Sequence, residues 1–249
     1  MQRRQRFTSV WAREAARRRE VRGNPSGLSR EQIVREAVAL LDAEGADALS
    51  MRRLAARLGS GATSLYWYVA NKDELLELAV DEVYGEITRI LDLPGGEPAH
   101  WRELASRYAY GMRDMILRHP WLAQQIGSRP AIGPNALAAA ERMVEAFEAA
   151  GFSGRDLDYA VSAVAAYTLG TALPEVAWRN GMAKLNMAER EWAEKVREEI
   201  ERAAEHAPGL RAKMTEWMAQ EDASVARRVA FDFGLVSLLD GLEARLRRR

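Results

Sequence analysis

A chain of 249 residues with 48% hydrophobic and 29% charged residues has the make-up of a globular protein, long enough for one large domain or a small one joined to a larger one, and unlike a disordered chain. It contains no cysteine, which excludes disulfides, thiolate zinc sites and thiol nucleophiles. Net charge is zero, yet residues 1–72 carry +7 and the remainder −7, so a polyanion is expected to meet only the front of the molecule.

Ala, Leu, Glu and Arg dominate and β-branched residues are sparse, which argues for an all-α fold. Residues 1–22 are basic but hold no apolar signal core. The longest uncharged run, Tyr159 to Pro174, is 16 residues, short of the roughly 20 that a bilayer span needs. It reads as a buried helix, and the chain as a cytoplasmic protein with no membrane partner.

Residues 1–27 hold eight arginines and two acids and end in Gly23-Asn24-Pro25-Ser26-Gly27. This is a basic arm on a flexible joint, with no apolar face worth burying in Val10–Val21. It is either a solvated tail or an arm that reaches the DNA backbone or minor groove. Ser29 with Gln32 predicts a capping box and the first firm helix, its apolar face formed by Ile33, Ala37, Leu40 and Leu41 and its end at Gly45. Ser50 caps a second helix, which carries Met51, Leu54, Ala55 and Leu58 inward and stops at Gly59.

After the turn Gly59-Ser60-Gly61, a third helix is expected from about Ala62 to Val69, with Leu65 and Val69 facing inward. Asn71 with Glu74 caps a fourth, running to about Leu91. Pro94-Gly95-Gly96-Glu97-Pro98 is a linker, and further helices are expected near 99–118, 120–126, 135–150, 155–179, 187–205 and 223–247.

The last of these has apolar residues on two faces: Val225, Val229, Phe233 and Val236 on one, and Phe231, Leu235, Leu238 and Leu242 on the other. Both must be covered. Ala160, Ala163, Ala166 and Gly170 let another helix approach closely. Together they point to a four-helix dimer interface with two helices from each subunit. The alternative is a monomer that wraps this helix completely.

Helix, glycine turn, aromatic helix and fresh helix start over 50–74 form an arrangement able to place one helix in a major groove. Residues 28–91 resemble the DNA-binding domain of the tetracycline-repressor (TetR) family. The likeness is carried by Ser50 to Gly59, by Leu65-Tyr66-Trp67-Tyr68-Val69 and by Asn71-Lys72-Asp73-Glu74-Leu75. Trp101 and the stretches 127–131, 162–170 and 233–243 are similar to the ligand-binding, dimerising half of the tetracycline repressors, whereas 1–27 is not covered and 179–220 fits poorly.

Three parts are expected: the flexible basic arm at 1–27, read from its composition, and, as the resemblance implies, a helix-turn-helix DNA-binding domain at 28–73 and a ligand-binding and dimerisation domain at 74–249. It implies a repressor that binds double-stranded DNA as a homodimer at a palindromic operator and is released by a small-molecule effector of unknown identity. It implies no catalytic residue and no cofactor.

Thr63 and Ser64, at the start of the third helix, are placed to reach base edges. Arg52 is the candidate for bidentate reading of guanine, or else a surface partner of Asp47. Tyr66 and Tyr68 are expected on phosphates through their hydroxyls, and Lys72 on phosphate with help from helix N–H groups. Trp67 has two readings, packing between helices or a backbone contact through its indole.

A ligand cavity is expected beyond residue 73. Its candidate lining is Trp101, Tyr108, Met112, Phe147 and Tyr167, with Met115, Trp121 and Met143 as further wall residues and Thr88, Gln125 and Thr171 as polar groups. Ordinary core is the alternative for each wall residue. Where the tetracycline repressors hold a drug–magnesium chelate, this chain has Thr88, Tyr108, Gln125 and Pro174, with Ala166 at a second histidine position. No imidazole or carboxylate remains there for Mg²⁺, so no metal is expected.

The rival classes are an architectural DNA binder without an effector and an all-α enzyme. The three histidines, His100, His119 and His206, show no metal or dyad spacing, and no phosphate-loop or HExxH motif occurs.

Overall fold

The computed structural model describes residues 9–11, 28–92, 100–128, 130–203, 206–209, 213 and 223–248. Most of the arm, the linker at 94–98 and nearly all of 210–220 lie outside the described residues. The chain divides into two compact units, residues 1–153 and 154–249.

In the first unit, α1 (Arg30–Glu44) opens with the expected capping box. The Ser29 hydroxyl accepts the Gln32 N–H at 3.1 Å, and the Gln32 side chain accepts the Ser29 N–H at 2.8 Å. Its inward stripe, Ile33, Val34, Ala37, Leu40 and Leu41, is fully covered. Helices α2 (Met51–Arg57) and α3 (Ala62–Leu65) follow a short 3-10 turn. Then come α4 (Lys72–Leu91), α5 (Trp101–Arg118), α6 (Leu122–Gln125) and α7 (Pro134–Ala149).

Helix α4 packs against α1, α5 and α7 and is the spine of the unit. Leu75, Ala79, Val83 and Ile87 on it are buried, and each fully buried leucine- or isoleucine-sized side chain contributes roughly 1.5–3 kcal/mol.

Helix α3 is shorter than the sequence suggested. The N–H groups of Tyr68 and Val69 both donate to the Leu65 carbonyl at 3.0 Å, which tightens the chain into a turn. The backbone must then extend at Asn71 to cap α4.

In the second unit, α8 (Arg155–Leu185), α9 (Glu189–Ala203) and α10 (Ala223–Leu246) assemble. Helices α8 and α10 run antiparallel, since Asp156 meets Arg245 at 3.2 Å, Tyr167 meets the Phe231 carbonyl at 2.8 Å and Glu175 meets Arg227 at 3.5 Å. Gly234 permits this approach, because any side chain there would collide with the Tyr167 ring.

Helix α8 continues through Pro174 and beyond the expected end at 179. It loses one N–H at the proline and ends where Asn186 adopts a left-handed φ of 51°. The Trp178 and Trp192 rings meet edge to face at 5.8 Å and join α9 to α8. On α10, Phe231, Leu235 and Leu239 are buried, whereas Val225, Val229, Phe233 and Val236 are exposed, Phe233 by 76%.

Candidate nucleic-acid interface and ligand cavity

The turn before α3 is a Schellman closure. The Ser60 N–H reaches the Ala55 carbonyl at 2.9 Å, the Gly59 N–H reaches Ala56 at 3.2 Å, and Gly59 has a φ of 62°. Helix α3 then packs against α2. Leu65 and Val69 are buried, as their spacing predicted. Arg52, Thr63, Tyr66 and Trp67 are all exposed, and Ser64 is half-buried. At 83% exposed, Trp67 is the most open of the large apolar side chains among the described residues. It is not packed between helices, and Tyr66 beside it is open as well.

Arg53 pairs with Glu44 and Arg57 with Glu36, bracing α2 against α1. Arg52 has no ion pair or hydrogen bond among the described residues, with Asp47 or any other acid, and its guanidinium fork is open to solvent.

Two of the expected phosphate ligands also have internal partners. The Tyr68 hydroxyl donates to the Leu28 carbonyl at 2.8 Å, so its hydrogen is engaged in fixing the entry to α1. Lys72 donates to the Ala46 carbonyl at 2.9 Å, which leaves two ammonium hydrogens for other acceptors. The start of α4 is doubly capped. Asn71 accepts the Glu74 N–H at 2.8 Å, and Glu74 accepts the Ala70 N–H at 3.0 Å.

Further along α4, Asp81 serves as the N-terminal anion of α7. Its carboxylate accepts the Ala136 N–H at 3.0 Å and the Asn135 N–H at 3.3 Å. Burial pushes the Asp81 carboxyl above the usual aspartate range, and the hydrogen bonds from Ala136 and Asn135 pull it partly back. A side chain on Gly133 would occupy the space of this carboxylate. One turn past Asp81, Gly85 lies against the Asn135 side chain, so it serves close packing.

A cavity of about 220 Å³ lies between α4 and the segment 122–136. Its walls include Leu76, Val80 and Tyr84 from α4, Leu122 and Ile126 from the α6 region, and Trp11 from the arm. Burial, with Asp81 nearby, raises the Tyr84 hydroxyl above its ordinary value.

Of the residues predicted to line a pocket, Gln125 lines this one. Trp101 and Phe147 form a buried aromatic cluster with Phe152, with ring centroids 5.1–5.6 Å apart, and Met112, Met115, Trp121 and Met143 are buried with the core residues. Tyr108 is half-buried, and burial followed by the neighbouring Tyr84 raises its hydroxyl. The Thr88 hydroxyl donates back to the Gly85 carbonyl at 3.0 Å. Tyr167 and Thr171 belong to the second unit. Tyr167 donates to Phe231, and Thr171 donates to the Tyr167 and Thr168 carbonyls at 3.0 Å.

Sequence reasoning gave the arm no burial, yet Val10 is only 1% exposed. Its N–H donates to the Glu77 carboxylate at 3.0 Å, and the Ser9 hydroxyl bonds the same carboxylate. The adjacent apolar pair Val10-Trp11 in an arginine-rich stretch is the local signal that hinted at this.

Residues 33–79 match the family model described as bacterial regulatory proteins, tetR family, and residues 93–246 match the tetracyclin repressor-like C-terminal domain. An HTH-type transcriptional regulator of Saccharopolyspora erythraea is 43% identical over 61% of this chain, a match spanning 63% of that relative. The HTH-type transcriptional repressor DrrR1 of Streptomyces coeruleorubidus is 33% identical, over 93% of this chain and 83% of its own. The crystal structure of the Streptomyces coelicolor TetR family protein ActR in complex with actinorhodin matches with a TM-score of 0.69 and 30% identity, covering 88% of this chain and 97% of that one. With both halves matched in order, this chain belongs to the TetR family of bacterial transcriptional regulators.

Proposed function

We propose that the protein is a ligand-responsive cytoplasmic repressor. It binds a palindromic operator as a homodimer and leaves it when a small molecule occupies the regulatory core. The observation that carries the DNA half of this reading is the open face of Arg52, Thr63, Tyr66 and Trp67 on and beside α3. Thr63 and Ser64 stand at the helix start where base edges are reached, and Arg52 supplies a fork for guanine. Tyr66, Trp67 and Lys72 face the flanking phosphates. Tyr68 acts through its bond to Leu28, holding the end of the recognition element in position.

The homodimer is supported by the exposed stripe Val225, Val229, Phe233 and Val236 on α10. On the neighbouring α8, Ala166 and Gly170 are exposed, with open space above Gly170. Helix α8 also holds an 18-residue window apolar enough by composition to cross a bilayer. A second copy packed beside Ala166 and Gly170 covers the exposed face of this helix. Two such subunits present two recognition helices to successive major grooves, about 34–36 Å apart.

Release follows from linkage. An effector that binds more tightly to a dimer arrangement with mismatched spacing drains the DNA-bound arrangement. ActR is described in complex with a small molecule and DrrR1 as a repressor, and both fit this reading.

The test is fluorescence anisotropy with duplex from the DNA flanking the gene, against scrambled duplex of equal length, alongside sedimentation of the free protein. Preference for native duplex by a dimer supports the reading. Equal affinity for both duplexes favours the architectural alternative, and a protein that binds neither duplex overturns both.

A further inference from the structure

The cavity between α4 and the segment 122–136 is walled largely by apolar side chains, among them Leu76, Val80 and Ile126. Several of its polar groups are already engaged. Asp81 accepts N–H groups of the α7 terminus on both oxygens, and Glu77 accepts Ser9 and Val10 on both of its own. The Ser128 hydroxyl donates to the Gln125 carbonyl at 2.6 Å. Tyr84 and Gln125 differ. Both are half-buried in the cavity wall, on opposite sides of it. Neither the Tyr84 hydroxyl nor the Gln125 side-chain amide has a hydrogen-bond partner among the described residues.

These free groups state what an occupant must carry. Burial, with Asp81 nearby, raises the Tyr84 hydroxyl above its ordinary value, so it keeps its hydrogen and offers it as a donor. An oxygen acceptor on a bound molecule would partner that donor, and the Gln125 amide can donate to or accept from the same molecule. The wall also disfavours charge. Burial is the leading cause of the upward shift at both Tyr84 and Asp81, and the same desolvation would fall on a charged occupant. An anion would in addition meet Asp73, Glu77 and Asp81, with no Lys, Arg or His in the lining among the described residues. A cation would have to draw Asp81 or Glu77 away from N–H groups that they already hold.

We propose that this cavity takes an uncharged, largely apolar molecule bearing a carbonyl oxygen, with Tyr84 donating to that oxygen and Gln125 orienting the molecule from the facing wall. This rests on reading the chain as an effector-responsive regulator, and adds the chemical class of the effector. Tyr84 and Lys72 lie on the same helix, α4, so the occupant touches the element that also carries a candidate phosphate ligand.

The experiment compares four probes on one naphthalene skeleton by equilibrium dialysis against the full-length protein. They are 2-acetylnaphthalene, its apolar isostere 2-isopropenylnaphthalene, the anion 2-naphthoate and the cation 1-(2-naphthyl)ethylamine. The ketone should bind about tenfold more tightly than each of the others, near the worth of one hydrogen bond. Tyr84→Phe removes only the hydroxyl. It should erase the ketone's margin over the alkene and bind the alkene as the unaltered chain does. Val80→Phe adds a ring to the wall and should weaken ketone and alkene together, with helical circular dichroism retained in both variants.

A ketone bound no better than the alkene, tighter binding of the anion or the cation, or no binding of any probe would overturn the proposal. So would a Tyr84→Phe protein that keeps the ketone's margin, or a Val80→Phe protein that binds both probes unchanged. Native-duplex preference measured on the same samples separates the two claims. If it persists while the ketone has no margin, only the effector class fails. If it is absent, the regulator reading itself fails.

Discussion

His119 Nδ1 lies 2.6 Å from a carboxylate oxygen of Asp42, and this contact ties α1 of the DNA-binding domain to the corner that follows α5. The same oxygen accepts the Trp121 indole N–H at 2.7 Å. The other ring nitrogen of His119 faces Glu86 on α4 at 3.2 Å, and Arg118 pairs with Glu86. One buried imidazole thus joins three helical elements within the first unit.

Replacing His119 with Ala leaves Asp42 and Glu86 without their shared partner. The expected loss of stability is about 1–3 kcal/mol, read by denaturant unfolding. If the joint carries the effector signal, operator affinity in the absence of effector should change less than effector-driven release. Unchanged release in a properly folded His119→Ala protein would remove the joint from the mechanism.

Arg52→Ala should relax base preference by about 1–3 kcal/mol while leaving affinity for scrambled duplex nearly unchanged. Lys72→Ala should weaken all duplexes alike and reduce the slope of log affinity against log salt by about one. It should also lower stability modestly, because the bond to the Ala46 carbonyl is lost. Anisotropy titrations across a potassium chloride series distinguish the two variants.

Gly133→Ala places a methyl group in the space of the Asp81 carboxylate. Overpacking of this kind costs about 1–3 kcal/mol. The double variant with Asp81→Ala should be less destabilised than the sum of the single changes, since the colliding group is gone. Strict additivity would show that the two residues do not act on each other.

Asp81 also gives a pH dependence of known sign. Its folded carboxyl is raised above the ordinary value of 3.8. The folded chain therefore holds this proton more tightly than the unfolded chain. The stabilisation from that difference is complete below pH 3.8 and is lost as pH rises through the folded value. The stability advantage of the unaltered protein over Asp81→Asn should shrink across that window, as measured by Tm against pH.

Phe233→Glu puts a charge in the middle of the exposed α10 stripe. Sedimentation equilibrium should show at least a tenfold weaker dimer and a parallel loss of operator binding, with helical circular dichroism retained. A dimer of unchanged strength would place the interface elsewhere.

Most helix boundaries were legible because they rest on local chemistry. Ser29 with Gln32, Asn71 with Glu74 and the closure at Gly59 each fix an end through two or three neighbouring residues. The exposed Phe233 face was legible for a similar reason, since a helix apolar on two sides cannot cover both with its own unit. The short α3 was not, because its end is set by the demand that Asn71 cap the next helix. Nor was the extension of α8 from the expected end at 179 to Leu185. The cavity was least legible. Trp101 and Phe147 are suited by type to a binding wall, but a large aromatic fills a core equally well, and only three-dimensional placement separates the two. The burial of Val10 was missed because the arm is held there by Glu77, far along the chain.

Helix α4 carries the DNA-side cap at Asn71, the cavity wall at Val80, the α7 anchor at Asp81 and the histidine joint at Glu86 on one unbroken rod of 20 residues, about 30 Å long. Such a rod has no internal hinge to absorb torque. In the proposed repressor, that makes α4 a crankshaft: a roll forced at Tyr84 would be carried to Lys72, because the helix runs unbroken between them.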